Sequence, residues 1–132
     1  MKIPFLKIFK SQSKSIPEEV LKQLQISFPN AKNIEWEIKG EIYEAIFYLN
    51  DVEHIAKIAQ KGNLIEYKKN HWLEELPESV KIGASSLGEI MNVIVIYSGS
   101  EKFYELIVRN EKLDRFEYLF NEHGVVLKSK NL

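Results

Sequence analysis

Three histidines are the residues of this 132-residue chain best suited to chemistry, because a neutral imidazole can bind metals and exchange protons near neutral pH. They are His54, His71 and His123, far apart in sequence and on different predicted elements. No His-x-x-x-His or His-Glu-x-x-His spacing occurs. His54 alternates with Ala56 on a predicted strand, which favours a packed or edge position, while the other two are expected to be solvated. The sequence therefore predicts no metal site.

The carboxylates show no arrangement typical of acid–base catalysis. Glu35 and Glu37 lie at alternate positions of a predicted strand, as solvent-facing residues do, and Glu74 and Glu75 lie in a predicted linker. No apolar surroundings are evident that would favour a protonated carboxyl. The chain has no cysteine, so thiolate catalysis and Cys-based zinc sites are excluded. We expect a protein that is not an enzyme and has no cofactor.

Charge and hydropathy limit the possible partners. The formal net charge is -1, so no global field attracts nucleic acid. No apolar run approaches the roughly 18 residues that a membrane-spanning helix requires. Residues 1–14 contain four lysines and no acid, which predicts a basic N-terminal arm. The arm is either a docked arm or first strand, or an amphipathic anchor for a membrane surface or partner. It lacks the features of a secretory signal, so a cytoplasmic location is expected.

Two similar successions of elements must position these side chains. The first begins with a capping-box pattern, Ser15 to Glu18, and an apolar helical stripe that includes Val20 and Leu24. The second helix is predicted to be weaker, because Gly83 and Gly88 each cost about 1 kcal/mol against alanine in a helix interior. Period-two patterns predict strands at 34–39, 42–49, 52–59, 64–67, 92–97, 102–109, 114–120 and 125–128.

The two successions are related by self-similarity. Ile16-Pro17-Glu18 is echoed by Leu76-Pro77-Glu78 at an offset of 60 residues, and Tyr43-Glu44-Ala45 by Tyr104-Glu105-Leu106 at an offset of 61. The sequence thus predicts an α+β fold of two tandem repeats, 15–70 and 71–132. Each has one helix and three to four antiparallel strands. Both helices would pack on one face of an extended antiparallel sheet, in one joint domain.

The first succession resembles a known family. Its helix ends in Phe28-Pro29-Asn30-Ala31, followed by Ile34-Glu35-Trp36, Tyr43-Glu44-Ala45-Ile46-Phe47 and a Gly62-Asn63-Leu64 turn. This succession resembles the tandem PepSY-like, beta-lactamase-inhibitor-protein-like (BLIP-like) domains of small bacterial proteins. The resemblance implies a two-repeat α+β fold with a non-catalytic binding or inhibitory role. Family members are usually exported to the periplasm or anchored to the outer membrane.

The strand patterns also predict an open apolar face. Ile46 and Tyr48 in the first repeat, and Phe103 and Ile107 in the second, alternate with the residues expected to face the helices. Such a patch suits a protein, peptide or small-ligand partner, or a homodimer interface. A strand assignment wrong by one residue would remove it. Trp72, between the repeats, either plugs their joint or serves as a binding anchor. We expect a binding module, or alternatively an inhibitor or regulator of a hydrolase or peptidase.

Overall fold

A computed structural model describes residues 15–132 of the protein, and the predicted basic arm, residues 1–14, lies outside the described residues. The described chain is α+β, with two helices and eight antiparallel strands. It divides into two compact units, of which the first ends at Tyr67 and the second spans Lys68–Leu132. Each unit has one α-helix followed by strands that pair in chain order, and each has its own buried core.

In the first unit a helix precedes a meander of strands. The elements are α1 Glu18–Ser27, β1 Lys32–Lys39, β2 Ile42–Leu49, β3 Val52–Ala59 and β4 Leu64–Asn70, of which β4 runs past the end of the unit. The predicted capping box is wrong: Pro17 is the N-cap residue and has no side-chain cap bond. Its ring suits the start of a helix, since the first N–H groups have no helical partner. Glu18 instead forms an ion pair with Lys22, at 3.4 Å.

The first core lies between α1 and one face of its strands. Val20 and Leu24 of the helix are buried against Tyr43, Ala45 and Phe47, which alternate along β2. Alternation places these three side chains on the same sheet face. Full burial of a large apolar side chain stabilises the fold by about 1.5–3 kcal/mol. The helix is therefore held to this face, and the odd–even pattern of β2 sends the remaining side chains to the other.

The second unit repeats the order of helix and strands. Its elements are a short 3₁₀ helix Leu73–Glu75, α2 Glu78–Ser85, β5 Glu89–Ser98, β6 Glu101–Arg109, β7 Arg115–Asn121 and β8 Val126–Asn131. Val80 and Ala84 of α2 are fully buried with Leu106, Val108 and Phe120 of the strands. The helix is only 8 residues long. Tertiary packing must therefore supply most of its stability.

Glycine has a different role in this helix from the one expected. A Cβ atom on Gly83 would lie 2.6 Å from the carbonyl oxygen of Gly124, so the helix touches the β7–β8 turn there. Gly124 itself has φ +82° and packs against the backbone of Ser79, whose Oγ donates a hydrogen bond to the Glu122 carbonyl at 2.6 Å. Gly88 lies beyond the helix end. Gly83 thus lowers the helix propensity of α2, but its missing side chain allows the close contact between the helix and the turn.

Candidate binding faces

The first unit has a sheet face that α1 does not cover, which we call the first open face. Its side chains alternate with the buried ones along β1, β2 and β3. The strand register arranges them in rows, of which one contains Glu35, Ile46 and Ile55 and the next contains Lys32, Tyr48 and Glu53. Tyr48 is 39% exposed. Ile46 and Tyr48 therefore lie on the side opposite the helix, and their binding role stays a prediction.

Glu35 departs most from its expected position. It is only 7% exposed, although it alternates with the core residue Trp36 and therefore points to the first open face. Its carboxylate forms no hydrogen bond or ion pair with any other described residue. The neighbouring residue on β2 is the isoleucine Ile46. The expectation of a solvent-facing glutamate is wrong here, because cross-strand neighbours rather than local alternation determine burial.

Two lysines of the first open face are paired with carboxylates of the same face. Lys39 lies 3.2 Å from Glu37, and the hydrogen bond with that carboxylate, followed by the charge of Glu44, raises the pKa of Lys39 above 10.5. Lys57 lies 3.5 Å from Glu66 of β4. These pairs are solvent-accessible, so each contributes little to stability.

A shallow cleft adjoins the first open face at the end of β2. It is lined by Lys32 and Tyr48 of the face together with Asn33, Asn50 and Asp51. These last three residues have positive φ angles, which asparagine and aspartate tolerate better than most residues. Their side chains offer amide and carboxylate oxygens beside the aromatic ring of Tyr48. The cleft can thus accept hydrogen bonds from a cationic or amide group.

The second unit has a corresponding face, the second open face, opposite α2. Phe103 lies between Ile96 and Asn121 in the strand register. Ile107 lies between Asn92 and Glu117. An ion pair of 2.9 Å joins Arg109 to Glu89 at one end of this face. Both predicted residues are half-buried, and their binding role stays a prediction.

Trp72 immediately precedes the 3₁₀ helix. Its side chain is 69% exposed, and its backbone N–H donates to Glu75 Oε1 at 3.4 Å. The neighbouring Leu73 is exposed as well. The exposed ring favours the second interpretation of Trp72, a binding anchor, which stays a prediction. The ring remains accessible as a binding anchor.

The histidines occupy three different environments. His54 is buried, stacks on Phe47 and Tyr67 at centroid distances of 5.5 and 5.6 Å, and its Nδ1 lies 2.8 Å from the Val52 carbonyl oxygen. The expected packed position of His54 is confirmed. His71 was expected to be solvated, but its side chain is only 14% exposed and lies 3.6 Å from Glu75. His123 is exposed in a turn, as expected.

Metal-binding side chains do not converge within residues 15–132. In that part of the chain no three His, Asp or Glu side chains lie together as metal ligands do. One further titratable group is perturbed in the second core. Burial, followed by the charges of Glu122 and Tyr97, raises the pKa of Tyr104 above 10.0. Such a shift keeps a core tyrosine neutral and does not activate it.

None of the described helices has the length and apolarity needed to cross a bilayer.

Solved structures share this fold. A candidate periplasmic protein from Bacteroides eggerthii matches with a TM-score of 0.77 and 21% identity over 87% of this chain and 88% of that chain. A DUF2874 family protein from Bacteroides uniformis matches with a TM-score of 0.76 and 19% identity over 87% and 88%. A BLIP-like protein from Bacteroides fragilis matches with a TM-score of 0.71 and 20% identity over 88% and 86%. No family model matches the sequence, and no curated protein does.

These matches define the fold class and correct one expectation. The chain has a BLIP-like α+β fold, as the resemblance implied, whereas the PepSY-like label has no counterpart among the matches. None of the three descriptions names an enzymatic activity. The expected cytoplasmic location is contradicted by the description of the B. eggerthii protein as periplasmic. That expectation rested on a missing pattern in residues 1–14, which is weaker than a positive finding on a protein of the same fold.

Proposed function

We propose that the protein is a non-catalytic binding module that holds a protein partner on its open sheet faces. The observation that carries the proposal is the position of Ile46, Tyr48 and Ile55 on a face that α1 leaves uncovered. Side chains of this kind are costly to expose and useful in an interface, where aromatic residues dominate the binding energy. Phe103 and Ile107 supply a comparable apolar centre in the second unit.

The proposal is tested by affinity capture with quantitative comparison of variants. Full-length wild type, Tyr48→Ser and Phe103→Ser would each be used to capture partners from the source cells, and the purified partner then titrated in solution. We expect one saturable partner whose affinity falls at least about tenfold, or ~1.4 kcal/mol, in a serine variant. Ile26→Ser, on the exposed side of α1, is the control. Equal affinity in all four proteins would refute the role of the faces.

A second candidate function is inhibition of a hydrolase. It is favoured by the match to a BLIP-like protein, and it rests on analogy of fold, which is weak evidence of function. In this case Trp72 and the open faces would block an enzyme's active site. The purified protein is expected to inhibit a peptidase or beta-lactamase at equimolar amounts. Full activity of every enzyme in a broad panel would eliminate this candidate.

We further propose that the two predicted repeats, 15–70 and 71–132, are copies of one PepSY-like repeat. Support comes from equivalent contacts in the two units. Gly62 packs against Glu19 at the start of α1, and Gly124 packs against Ser79 at the start of α2. Val20 and Val80 are both fully buried helix residues. Gly62→Val and Gly124→Val would each force the turn away from the start of the helix in that unit. We therefore expect faster hydrogen exchange of the backbone amides in that helix.

We also propose that the protein acts in the periplasm. The support is the periplasmic description of the B. eggerthii protein, which shares the fold. Cell fractionation with a tagged full-length chain would test it. Recovery with cytoplasmic markers would refute it.

A further inference from the structure

We propose that the first open face binds a basic, amphipathic peptide segment of a partner protein, with one lysine or arginine of that segment paired to Glu35. The inference rests on the proposed binding function and adds the chemistry of the partner. It concerns the first unit alone.

The buried carboxylate of Glu35 is the starting point. The Glu35 residue is only 7% exposed, yet no described residue donates a hydrogen bond to its carboxylate or pairs with it. A buried charge without a partner is strongly unfavourable, and natural structures retain such a group where something else satisfies it. A carboxylate only accepts hydrogen bonds, so the missing partner is a donor, and a cationic donor satisfies it best.

A single metal ion does not suit this position. No other Asp, Glu or His combines with Glu35 into a set of three ligands among the described residues. The row that contains Glu35 continues into Ile46 and Ile55, which offer only hydrocarbon. The occupant must therefore carry a positive charge and apolar surface side by side. A peptide with alternating basic and apolar side chains has this character.

The charges around the row favour the same partner. The ionisable residues of the face, including those that alternate with Tyr67 on β4, are Lys32, Glu35, Glu37, Lys39, Glu44, Glu53, Lys57, Glu66 and Lys68. Five carboxylates thus oppose four lysines, a surplus of one negative charge, and two of those lysines, Lys39 and Lys57, are paired within the face. The second open face is balanced, with Glu89, Glu101, Glu105 and Glu117 against Arg109, Arg115, Lys128 and Lys130. Only the first face has a surplus of negative charge to attract a basic segment.

The cleft beside Tyr48 extends this site. It lies one row along from Glu35, and its lining includes the carboxylate of Asp51 and the amides of Asn33 and Asn50. An extended peptide that pairs one cation with Glu35 can place a second donor here, against the Tyr48 ring. Residues two apart in an extended chain point to the same side, which matches the row spacing.

The test uses full-length protein and two labelled peptides of equal length. In one, lysine alternates with isoleucine, and in the other glutamate replaces each lysine. Fluorescence anisotropy should detect binding of the basic peptide alone, and binding should weaken as salt is added. Glu35→Gln should weaken it by about thirtyfold or more, as loss of one partner of a buried charge pair does. Glu18→Gln is the matched control, since Glu18 is an exposed residue of α1, and it should bind as wild type does.

Three results would overturn the inference. They are equal binding of both peptides, unchanged affinity in Glu35→Gln that circular dichroism shows to be folded, and a dimer by light scattering that excludes the peptide. The last would assign the first open face to a second copy of this chain. If a captured natural partner is not basic but loses affinity for Tyr48→Ser, the binding function stands and only the charge assignment fails.

Discussion

Glu35 should be a residue whose replacement makes the protein more stable. A buried charged group without a partner costs about 1–3 kcal/mol or more. Glu35→Met removes the charge and keeps an unbranched side chain of similar volume beside Ile46 and Ile55. We therefore expect the free energy of unfolding to rise by about 1–3 kcal/mol. The melting temperature should rise by roughly 3–6 °C for each kcal/mol in a chain of this size. Urea unfolding near neutral pH, followed by tryptophan fluorescence, measures the change.

Glu37→Met is the matched control for this measurement. It removes the same charge from the same strand and face, but the Glu37 side chain is 41% exposed and paired with Lys39. Its effect should stay within about 0.5 kcal/mol. A less stable Glu35 variant would show that the carboxylate has a favourable interaction in the free protein. Equal gains in both variants would point to general charge repulsion instead. Either result would remove the basis for a basic partner, whereas higher stability with lost peptide binding is typical of a binding residue.

Three further predictions concern a turn glycine, a core phenylalanine and a buried tyrosine, and the first two have matched control substitutions. Gly124→Ala should destabilise the second unit by about 2 kcal/mol or more, because the new methyl group clashes with Ser79 and the positive φ angle is strained. Gly99→Ala is the control: Gly99 has φ +63° and open space around it, so the cost should be only about 1 kcal/mol. Phe47→Ala should cost about 3–5 kcal/mol, and Ile26→Ala, 75% exposed, about 0.5 kcal/mol or less. Because burial raises the pKa of Tyr104 above 10.0, its stabilising effect is complete below pH 10 and is lost as the pH rises further, so Tyr104→Phe should flatten the alkaline decline.

Urea unfolding midpoints measure all three effects. Each of the first two variants is compared with its control, so that a change common to both is not assigned to the contact. Similar losses for the two glycine variants would mean that strain alone matters and that the helix–turn contact contributes nothing. A small loss at Phe47 would contradict its place in the core. An alkaline decline of the same slope in wild type and Tyr104→Phe would assign the transition to other groups.

The local sequence pattern was sufficient to predict the elements and to predict which side chains of the central strands are buried. The predicted bounds of β2 and β3, 42–49 and 52–59, agree with the structure. Alternation along these strands separates buried Phe47 from Tyr48 without knowledge of the fold, because successive side chains of a strand point to opposite faces. The unconfirmed repeat layout also began as a local observation, from Pro17 and Pro77 at equivalent helix starts.

Contacts between distant segments were not predictable in this way. The exposure of Trp72 depends on what packs against the start of the second unit. The burial of Glu35 depends on its neighbours across the sheet, although the pairing with Ile46 could have been proposed from the strand pattern. The close approach of Gly83 to Gly124 joins residues that no local rule connects.

The sequence by itself determined the α+β class, the strand phase and the absence of cysteine chemistry, since these follow from residue type and short-range periodicity. The tertiary structure alone decided that Glu35 is buried without a partner among residues 15–132, that His71 is sheltered and that Gly83 permits a helix–turn contact. The physical reason is that burial and pairing are properties of the space between elements. That space is set by the register and packing of segments far apart in the chain.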